Sequence, residues 1–196
     1  MSNGTFDFNA FITESRETLL NPKSYFSTMK ATGGITEPLI KAVIYGTIAG
    51  IIYLIWSFLR IGAYSGIMGG AVGVMVFIYA IISAVIGLFI GAVILLVISS
   101  ICHGSTDFEA NLRVTASVMV VMPVAALLSF TSVLSMYLGA IINLGVSAYT
   151  LWLLYNGVVE ALKGNSGTAK LVCYVLVGIM ALFLVIRLLS PVPRIY

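Results

Sequence analysis

The chain has 196 residues, of which 60% belong to the set AVILMFWYC and only 9% are charged, with a formal net charge of +3. When Gly is counted and Tyr is not, roughly 65% of the chain is apolar, whereas soluble proteins carry roughly 45–50% apolar and about 25% charged residues. A water-soluble fold of this length has no room to bury so much apolar surface. The composition excludes a soluble enzyme, a nucleic-acid-binding protein and a disordered chain. It indicates an integral membrane protein.

The chain begins with a charged leader, 1–37, which we predict to be cytoplasmic and amphipathic. One helix is predicted within 6–20, and a second within 21–34, where Asn21 precedes Pro22 and a Gly-Gly pair provides the stop. The leader helices either lie in the headgroup plane as interfacial helices or dock against the bundle. On the second helix, three apolar residues are predicted to share one side: Tyr25, Phe26 and Met29.

Five apolar stretches follow, each long enough to cross a bilayer core of about 30 Å as a helix. We therefore predict an all-α polytopic bundle of five transmembrane helices, a five-span domain over 38–190, and a short outer tail at 191–196. The predicted spans are 38–59, 71–101, 114–130, 133–159 and 171–189.

Three local features refine these spans. Lys41, near the start of the first span, is predicted to extend its side chain to the headgroups. Pro123 lacks an N–H and is predicted to kink the third span. The linker at 129–132 is so short that the third and fourth spans must form an antiparallel hairpin.

The distribution of Lys and Arg predicts a cytoplasmic N-terminus and an outer C-terminus. With the N-terminus inside, seven basic residues fall on the cytoplasmic side and three outside; omitting the distant Arg16 leaves six against three. The outer residues are Arg60, Arg187 and Arg194. All seven acidic residues also fall inside, but orientation follows the basic residues alone.

Small residues in the spans indicate where helices approach closely. The pattern predicts packing within the bundle, and a homodimer face is the alternative. The predicted helix-packing residues are Gly46 and Gly50 in the first span, Ser83, Gly87 and Gly91 in the second, and Asn143, one turn after Gly139, in the fourth.

The loop between the second and third spans carries most of the remaining polar chemistry. Thr106 and Glu109 form a capping-box pattern, Glu109 can pair with Arg113 one turn later, and Asp107 lies where the helix dipole favours an anion. These charges are thus explained as architecture. The functional alternative is a partner-docking surface made of Asp107, Phe108, Glu109 and Arg113.

Three segments resemble the Yip family of five-span membrane proteins, which is named for binding Ypt/Rab GTPases. GSTDFEANLRV at 104–114, before the apolar helix with Pro123, is similar to a family motif. LLNPKSYFSTM at 19–29 resembles the leader of prokaryotic members, and YTLWLLYNGVVEAL at 149–162 resembles the fourth span. The resemblance implies a prokaryotic inner-membrane protein. The acidic signature of eukaryotic trafficking members is absent, so Rab binding is not implied.

The spans carry no ionisable residue at their centres, where a proton- or sodium-driven transporter usually places one. Asn143 and Ser147 lie one turn apart in the fourth span, where interhelical hydrogen bonding is the favoured interpretation and a path for a small solute is the alternative. A single His without triad partners excludes the common hydrolase arrangements. We predict no catalytic, cofactor or metal site.

The sequence therefore favours a non-enzymatic adaptor or membrane-organising protein that acts through its cytoplasmic face. Its predicted partners are the lipid bilayer and a protein on the cytoplasmic side, with a homodimer as a further option and no nucleic acid. The competing hypothesis is a small-solute channel or carrier with a path near Asn143 and Ser147.

Overall fold

The computed structural model describes residues 7–61 and 69–189, with side chains over 7–61 and 72–186. All regular elements within these ranges are helical. The predicted outer tail, 191–196, and the side chains of Arg187 and Arg194 lie outside the described residues.

Two short helices form the described part of the leader, α1 at Phe8–Leu20 and α2 at Pro22–Thr28. Asp7 caps α1, because its carboxylate accepts hydrogen bonds from the first free backbone N–H groups of the helix. α2 begins at Pro22, as predicted. It ends at Thr28 and not at the predicted Gly-Gly stop, because Met29 already has an extended backbone with ψ 133°.

Within the described residues, five helical segments are long and apolar enough to span a membrane, which confirms the predicted fold class. The first two spans are α3 at Thr36–Phe58 and α4 at Gly69–Ile101. The fourth is α8 at Met136–Asn156, continued by a π-helical turn at Gly157–Ala161, and the fifth is α9 at Ser166–Leu189. The third span consists of α5 at Phe108–Val118, α6 at Val121–Leu128 and α7 at Thr131–Leu134.

The third span is interrupted where Pro123 requires it. A proline has no N–H to donate to the carbonyl four residues earlier, and its ring crowds that carbonyl. The carbonyl concerned is that of Met119, which instead accepts a hydrogen bond of 2.9 Å from the N–H of Met122. The chain therefore passes from α5 to α6 through a tighter turn, in which an N–H three residues later replaces the missing donor. Local adjustments of this kind allow a transmembrane helix to contain a proline.

The turn between the third and fourth spans differs from the prediction. Helix α7 extends through 131–134, so the linker is not 129–132; the direction changes at Ser135, whose backbone is extended and whose hydroxyl caps α8. The two spans remain antiparallel neighbours. Gly139 allows this, since a Cβ at that position would lie 2.6 Å from the Cα of Ser132.

The third span lies at the centre of the bundle. In the third span Leu112, Val114 and Ala116 are fully buried. In the fifth span, only 6% of the most apolar stretch is buried, and its apolar side chains are exposed. A bilayer supplies the apolar surroundings that this exposed surface requires.

Several elements meet at one end of the bundle, which we call the N-terminal face. This end holds α1 and α2, the starts of the first, third and fifth spans, and the two loops 102–107 and 162–165. The loops are hydrogen-bonded to each other, with the N–H of Ser105 donating to the carbonyl of Leu162 and the N–H of Asn165 donating to that of Cys102, both at 2.7 Å.

Candidate functional site

Three acidic and two basic side chains form a network on the N-terminal face, which we call the charge cluster: Glu14, Glu37, Lys41, Glu109 and Arg113. Its centre is Glu37, in the first turn of α3. One carboxylate oxygen contacts Lys41 Nζ at 2.9 Å and the other contacts Arg113 Nη1 at 2.9 Å. The first and third spans are therefore joined by one shared carboxylate.

The leader enters the cluster through Glu14 of α1, whose carboxylate contacts Lys41 Nζ at 2.6 Å. The Lys41 side chain is only 8% exposed, so its ammonium is satisfied by Glu14 and Glu37 and not by headgroups. The predicted extension of Lys41 to the headgroups is thus wrong. The physical reason is that two carboxylates lie within reach inside the protein, and a buried cation is kept where it is paired and hydrogen-bonded.

Arg113 of α5 is enclosed in the same way. Its Nε contacts Glu109 at 3.3 Å, and its Nη2 donates to the carbonyl of Gly34 at 3.1 Å. The Gly34 N–H in turn donates to Glu109 at 2.6 Å. The predicted Glu109–Arg113 pair is confirmed. Since Arg113 is 7% exposed, however, it is not available to a docking partner, which corrects that part of the predicted surface.

The segment before the first span has the conformation that this enclosure needs. Gly33 has φ 142°, in the region that favours glycine, and a Cβ there would lie 2.6 Å from Arg113 Nη2. The Gly-Gly pair therefore does not end a helix. It allows the backbone to pass against the guanidinium.

The capping box predicted at Thr106 is wrong by one residue. Asp107 is the N-cap of α5, and its carboxylate accepts from the N–H groups of Glu109 at 2.7 Å and Ala110 at 3.2 Å. Glu109 is turned toward Arg113 and Gly34 instead of reaching back to the cap. Of the predicted docking residues, Asp107 and Phe108 are exposed, Glu109 is partly buried and Arg113 is buried.

The leader helices dock on the bundle through the side predicted to be interfacial. Phe26 is fully buried in the core beside Gly157. The Tyr25 hydroxyl lies 2.9 Å from the Ser117 hydroxyl, which also contacts Met29 Sδ at 3.8 Å. Phe26 therefore cannot enter the headgroups, and Tyr25 and Met29 are held against the third span.

Two further hydrogen bonds anchor α1. Its Ser15 hydroxyl lies 2.7 Å from the Tyr45 hydroxyl of the first span, and the carbonyl of Leu19 accepts a hydrogen bond from the Tyr149 hydroxyl of the fourth span. Tyr45 also packs its ring on Phe11, with centroids 5.2 Å apart. The leader is therefore tied to the first, third and fourth spans.

A cavity of about 530 Å³ lies between the leader and the bundle. Its wall carries acidic, basic and hydroxyl groups, among them Glu37, Lys41, Arg113 and Ser117. Because Lys41 and Arg113 are already paired with carboxylates, the arrangement is suited to holding elements together. Neither cation is free to bind a further anion.

A second cavity, of about 430 Å³, lies deeper, between the second, third and fourth spans. Asn143 and Ser147 both line it. Neither side chain makes a hydrogen bond within the described residues, and Asn143 is exposed. Within the described residues, the interhelical hydrogen bonds favoured for Asn143 and Ser147 are therefore not formed, and both side chains line the cavity instead.

A family model described as the Yip1 domain matches residues 16–187, which is most of the chain. The chain belongs to the Yip1 domain family. The match includes the segments 19–29, 104–114 and 149–162, on which the resemblance was based, and confirms it. No curated protein and no solved structure matched the chain.

In this Yip1 domain the small residues of the first two spans differ in their surroundings. Gly46 and Gly50 face α4, where an added Cβ would lie 2.7 Å from Ala84 Cβ and 2.9 Å from Phe77, respectively. Gly91 faces Thr115 of the third span at 2.9 Å, whereas Gly87 has nothing within 4 Å. Ser83 donates to a carbonyl of its own helix. Gly87 therefore makes no close approach to another helix within the described part of the bundle.

Cys102 lies in the paired loops of the Yip1 domain and is fully buried. Burial raises the pKa of its thiol, because the thiolate would lose its hydration. Within the described ranges, no three His, Cys, Asp or Glu side chains come together in a way that could hold a metal ion.

The sequence does not predict the charge cluster as a unit. Glu37 and Lys41 are four residues apart on one helix, a spacing that does signal an ion pair. Glu14 is 27 residues from Lys41, and no local pattern in a single sequence relates them. The burial of Arg113 depends likewise on where α1 and α3 lie.

Proposed function

We propose that this Yip1 domain is a non-enzymatic adaptor or membrane-organising component that acts through its N-terminal face. The observation that carries the proposal is the attachment of the leader to three spans by the buried ring of Phe26 and by partly buried polar contacts, centred on the Glu14–Lys41 pair. Ordering a leader of two helices costs conformational entropy, which these contacts offset. A fixed leader presents a defined surface to a partner.

The surface available for a partner consists of exposed apolar and acidic side chains on this face. Phe8 and Ile12 of α1 are more than half exposed, and Phe108 of α5 is 38% exposed beside the exposed Asp107. Exposed aromatic side chains are enriched where proteins bind one another. We propose a protein partner, with the inner-leaflet lipids as the second contact of the same face.

The N-terminal face is proposed to be cytoplasmic, in the inner membrane of a prokaryote. Lys and Arg near span ends are concentrated on this face, and such an excess sets the orientation of most membrane proteins. Five spans then place the C-terminus outside.

Co-purification after gentle extraction tests the adaptor role. Phe108→Ala and Ile12→Ala should each lower the amount of the partner recovered with the protein, because each removes exposed apolar surface from the N-terminal face. Phe183→Ala is the matched control, since Phe183 is 67% exposed on the fifth span, away from this face. Equal recovery from all three variants and the unchanged protein would contradict the adaptor role.

The small-solute channel or carrier remains the second candidate, favoured by one observation. Asn143 and Ser147 lie on the wall of a cavity inside the span region. The rest of this wall is mostly apolar, which is unsuited to a hydrated solute. Flux measured in liposomes separates the two candidates: a solute flux that Asn143→Leu abolishes would favour the carrier and count against the adaptor.

A further inference from the structure

The cavity between the second, third and fourth spans has the properties of a small-molecule site. Its volume of about 430 Å³ is within the range of roughly 300–1,000 Å³ found for ligand pockets, which are mainly apolar with a few polar groups that orient the ligand. Apolar side chains from three spans supply most of its wall, including Ile94, Leu95, Met119 and Met122.

The polar groups of the cavity fall into two classes. Thr115 and Thr150 donate their hydroxyl hydrogen bonds to carbonyls of their own helices, at 2.9 Å and 2.8 Å. Asn143 and Ser147, one turn apart on α8, make no side-chain hydrogen bond within the described part of the chain. A carboxamide without a partner is costly at membrane depth, so a molecule that supplies one gains binding free energy there.

The wall also limits the charge and origin of such a molecule. Among the side chains that the structure describes, none that lines the cavity is charged, so an ionised group would enter an apolar region without a partner. Ile94 is 55% exposed and Asn143 is exposed, so the cavity opens sideways between the second and fourth spans. A ligand therefore enters from the acyl-chain region and must itself be soluble there.

We propose that this cavity binds a neutral, bilayer-soluble amphiphile of the long-chain alcohol class. Its hydroxyl group hydrogen-bonds to Asn143 and Ser147, and its chain lies against the apolar wall formed by the second and third spans. A hydroxyl group both donates and accepts, which matches the amide and the hydroxyl that receive it. The site is separate from the N-terminal face and does not depend on the adaptor role.

Photolabelling of the full chain in liposomes tests the proposal. The probe is a long-chain alcohol that carries a diazirine in its chain, and the matched probe is the alkane of equal length without the hydroxyl. We expect the alcohol to label peptides that line the cavity, to saturate, and to be displaced by excess unlabelled alcohol. The alkane should label the exposed faces of the bundle without saturation.

Variants assign the contacts. Asn143→Leu should weaken saturable labelling roughly two- to tenfold, the effect of one lost hydrogen bond, and Ser147→Ala should weaken it less. Ala125→Leu should weaken it by placing a larger apolar side chain in the cavity and reducing the space for the chain of the alcohol. Ile141→Leu is the control, because the Ile141 side chain is on the same helix but is 60% exposed and does not line the cavity. It should leave the labelling unchanged. Thermal unfolding checks that each variant is folded. Asn143→Leu should be at least as stable as the unchanged protein, since no partner is lost and an amide without a partner is removed.

Three results would overturn the proposal. Equal labelling of the cavity by the alcohol and the alkane would mean that ordinary acyl chains fill it. Saturable labelling that Asn143→Leu and Ser147→Ala both leave unchanged would remove the polar contact. Crosslinks from a photoreactive residue at Asn143 to a second copy of the chain would assign the cavity to an interface between protomers.

Discussion

Arg113 on the third span and Glu37 on the first span form an ion pair, with Nη1 and Oε2 2.9 Å apart. The arginine is buried, while the Glu37 side chain is 41% exposed. This pair joins the central span of the bundle to the first turn of the first span, directly after the leader.

Replacing Arg113 with Met should destabilise the bundle by about 2 kcal/mol. Removing one partner of a buried ion pair typically costs about 3–5 kcal/mol, and the remaining carboxylates here are partly solvated, which lowers the cost. Unfolding in mixed micelles measures it. Arg16→Met is the control, because Arg16 is exposed and should contribute less than about 0.5 kcal/mol. Equal stabilities of the two variants would show that the cluster does not hold the bundle.

Glu14→Gln should loosen α1 without unfolding the spans. The charge contact to Lys41 is lost, and amide exchange in α1 should become roughly three- to tenfold faster, as expected for about 1 kcal/mol. Glu17→Gln is the matched control, since the Glu17 carboxylate accepts a hydrogen bond from Asn21 within the leader. Within the described residues, no hydrogen bond or ion pair joins the Glu17 side chain to a span. If amide exchange in α1 rose equally in both variants, the ion pair between Glu14 and Lys41 would not be what holds α1 on the bundle.

Gly46→Ala and Gly87→Ala should have different effects on the stability of the bundle. The new methyl at Gly46 would lie 2.7 Å from Ala84 Cβ and 3.1 Å from the carbonyl of Ala80, so the first two spans must separate, at a cost of about 1–3 kcal/mol. At Gly87 the new methyl contacts nothing within 4 Å. Because alanine is favoured over glycine in a helix, Gly87→Ala should leave the stability unchanged or raise it slightly. Loss of stability in Gly87→Ala together with a change in oligomeric mass would instead place Gly87 in a homodimer face.

Cys102 should resist a water-soluble maleimide in the folded protein. It is fully buried, and its raised pKa lowers the thiolate fraction at any given pH, so remaining reactivity should shift above the usual thiol pKa of about 8.5. A cysteine introduced by Thr106→Cys, exposed in the same loop, should react rapidly. Comparable rates for the two thiols at neutral pH would contradict the pairing of loops 102–107 and 162–165.

The spans could be predicted from the sequence because the length of an apolar stretch is a local property. The start of α2 was local too, since Asn21 before Pro22 is a helix-start signal. The sequence does not distinguish the N-cap of α5, because Thr106 and Asp107 are adjacent and both side chains can cap a helix. The turn of Glu109 toward Arg113, four residues later, has a local signal in that spacing, but its contact with the Gly34 N–H has none.

The tertiary features of the site had no such local signal. Burial of Phe26 depends on Gly157, which has no side chain and so leaves room for the ring. The two residues are more than a hundred positions apart in the sequence, so no local pattern relates them. Asn143 resembled a packing residue because a polar group in a span usually finds a partner in another helix. A cavity between helices that are distant in sequence leaves no mark on periodicity or composition.

Five spans with the N-terminal face in the cytoplasm are tested most directly by cysteine accessibility in intact cells and in inverted membrane vesicles. Single cysteines replace Thr106, Ser166 and Ile61 in a chain whose Cys102 and Cys173 are serine. Thr106→Cys and Ser166→Cys should react with an impermeant maleimide only in inverted vesicles, and Ile61→Cys only in intact cells. Labelling of Ile61→Cys and Thr106→Cys from the same side would contradict the topology and the cytoplasmic docking surface with it.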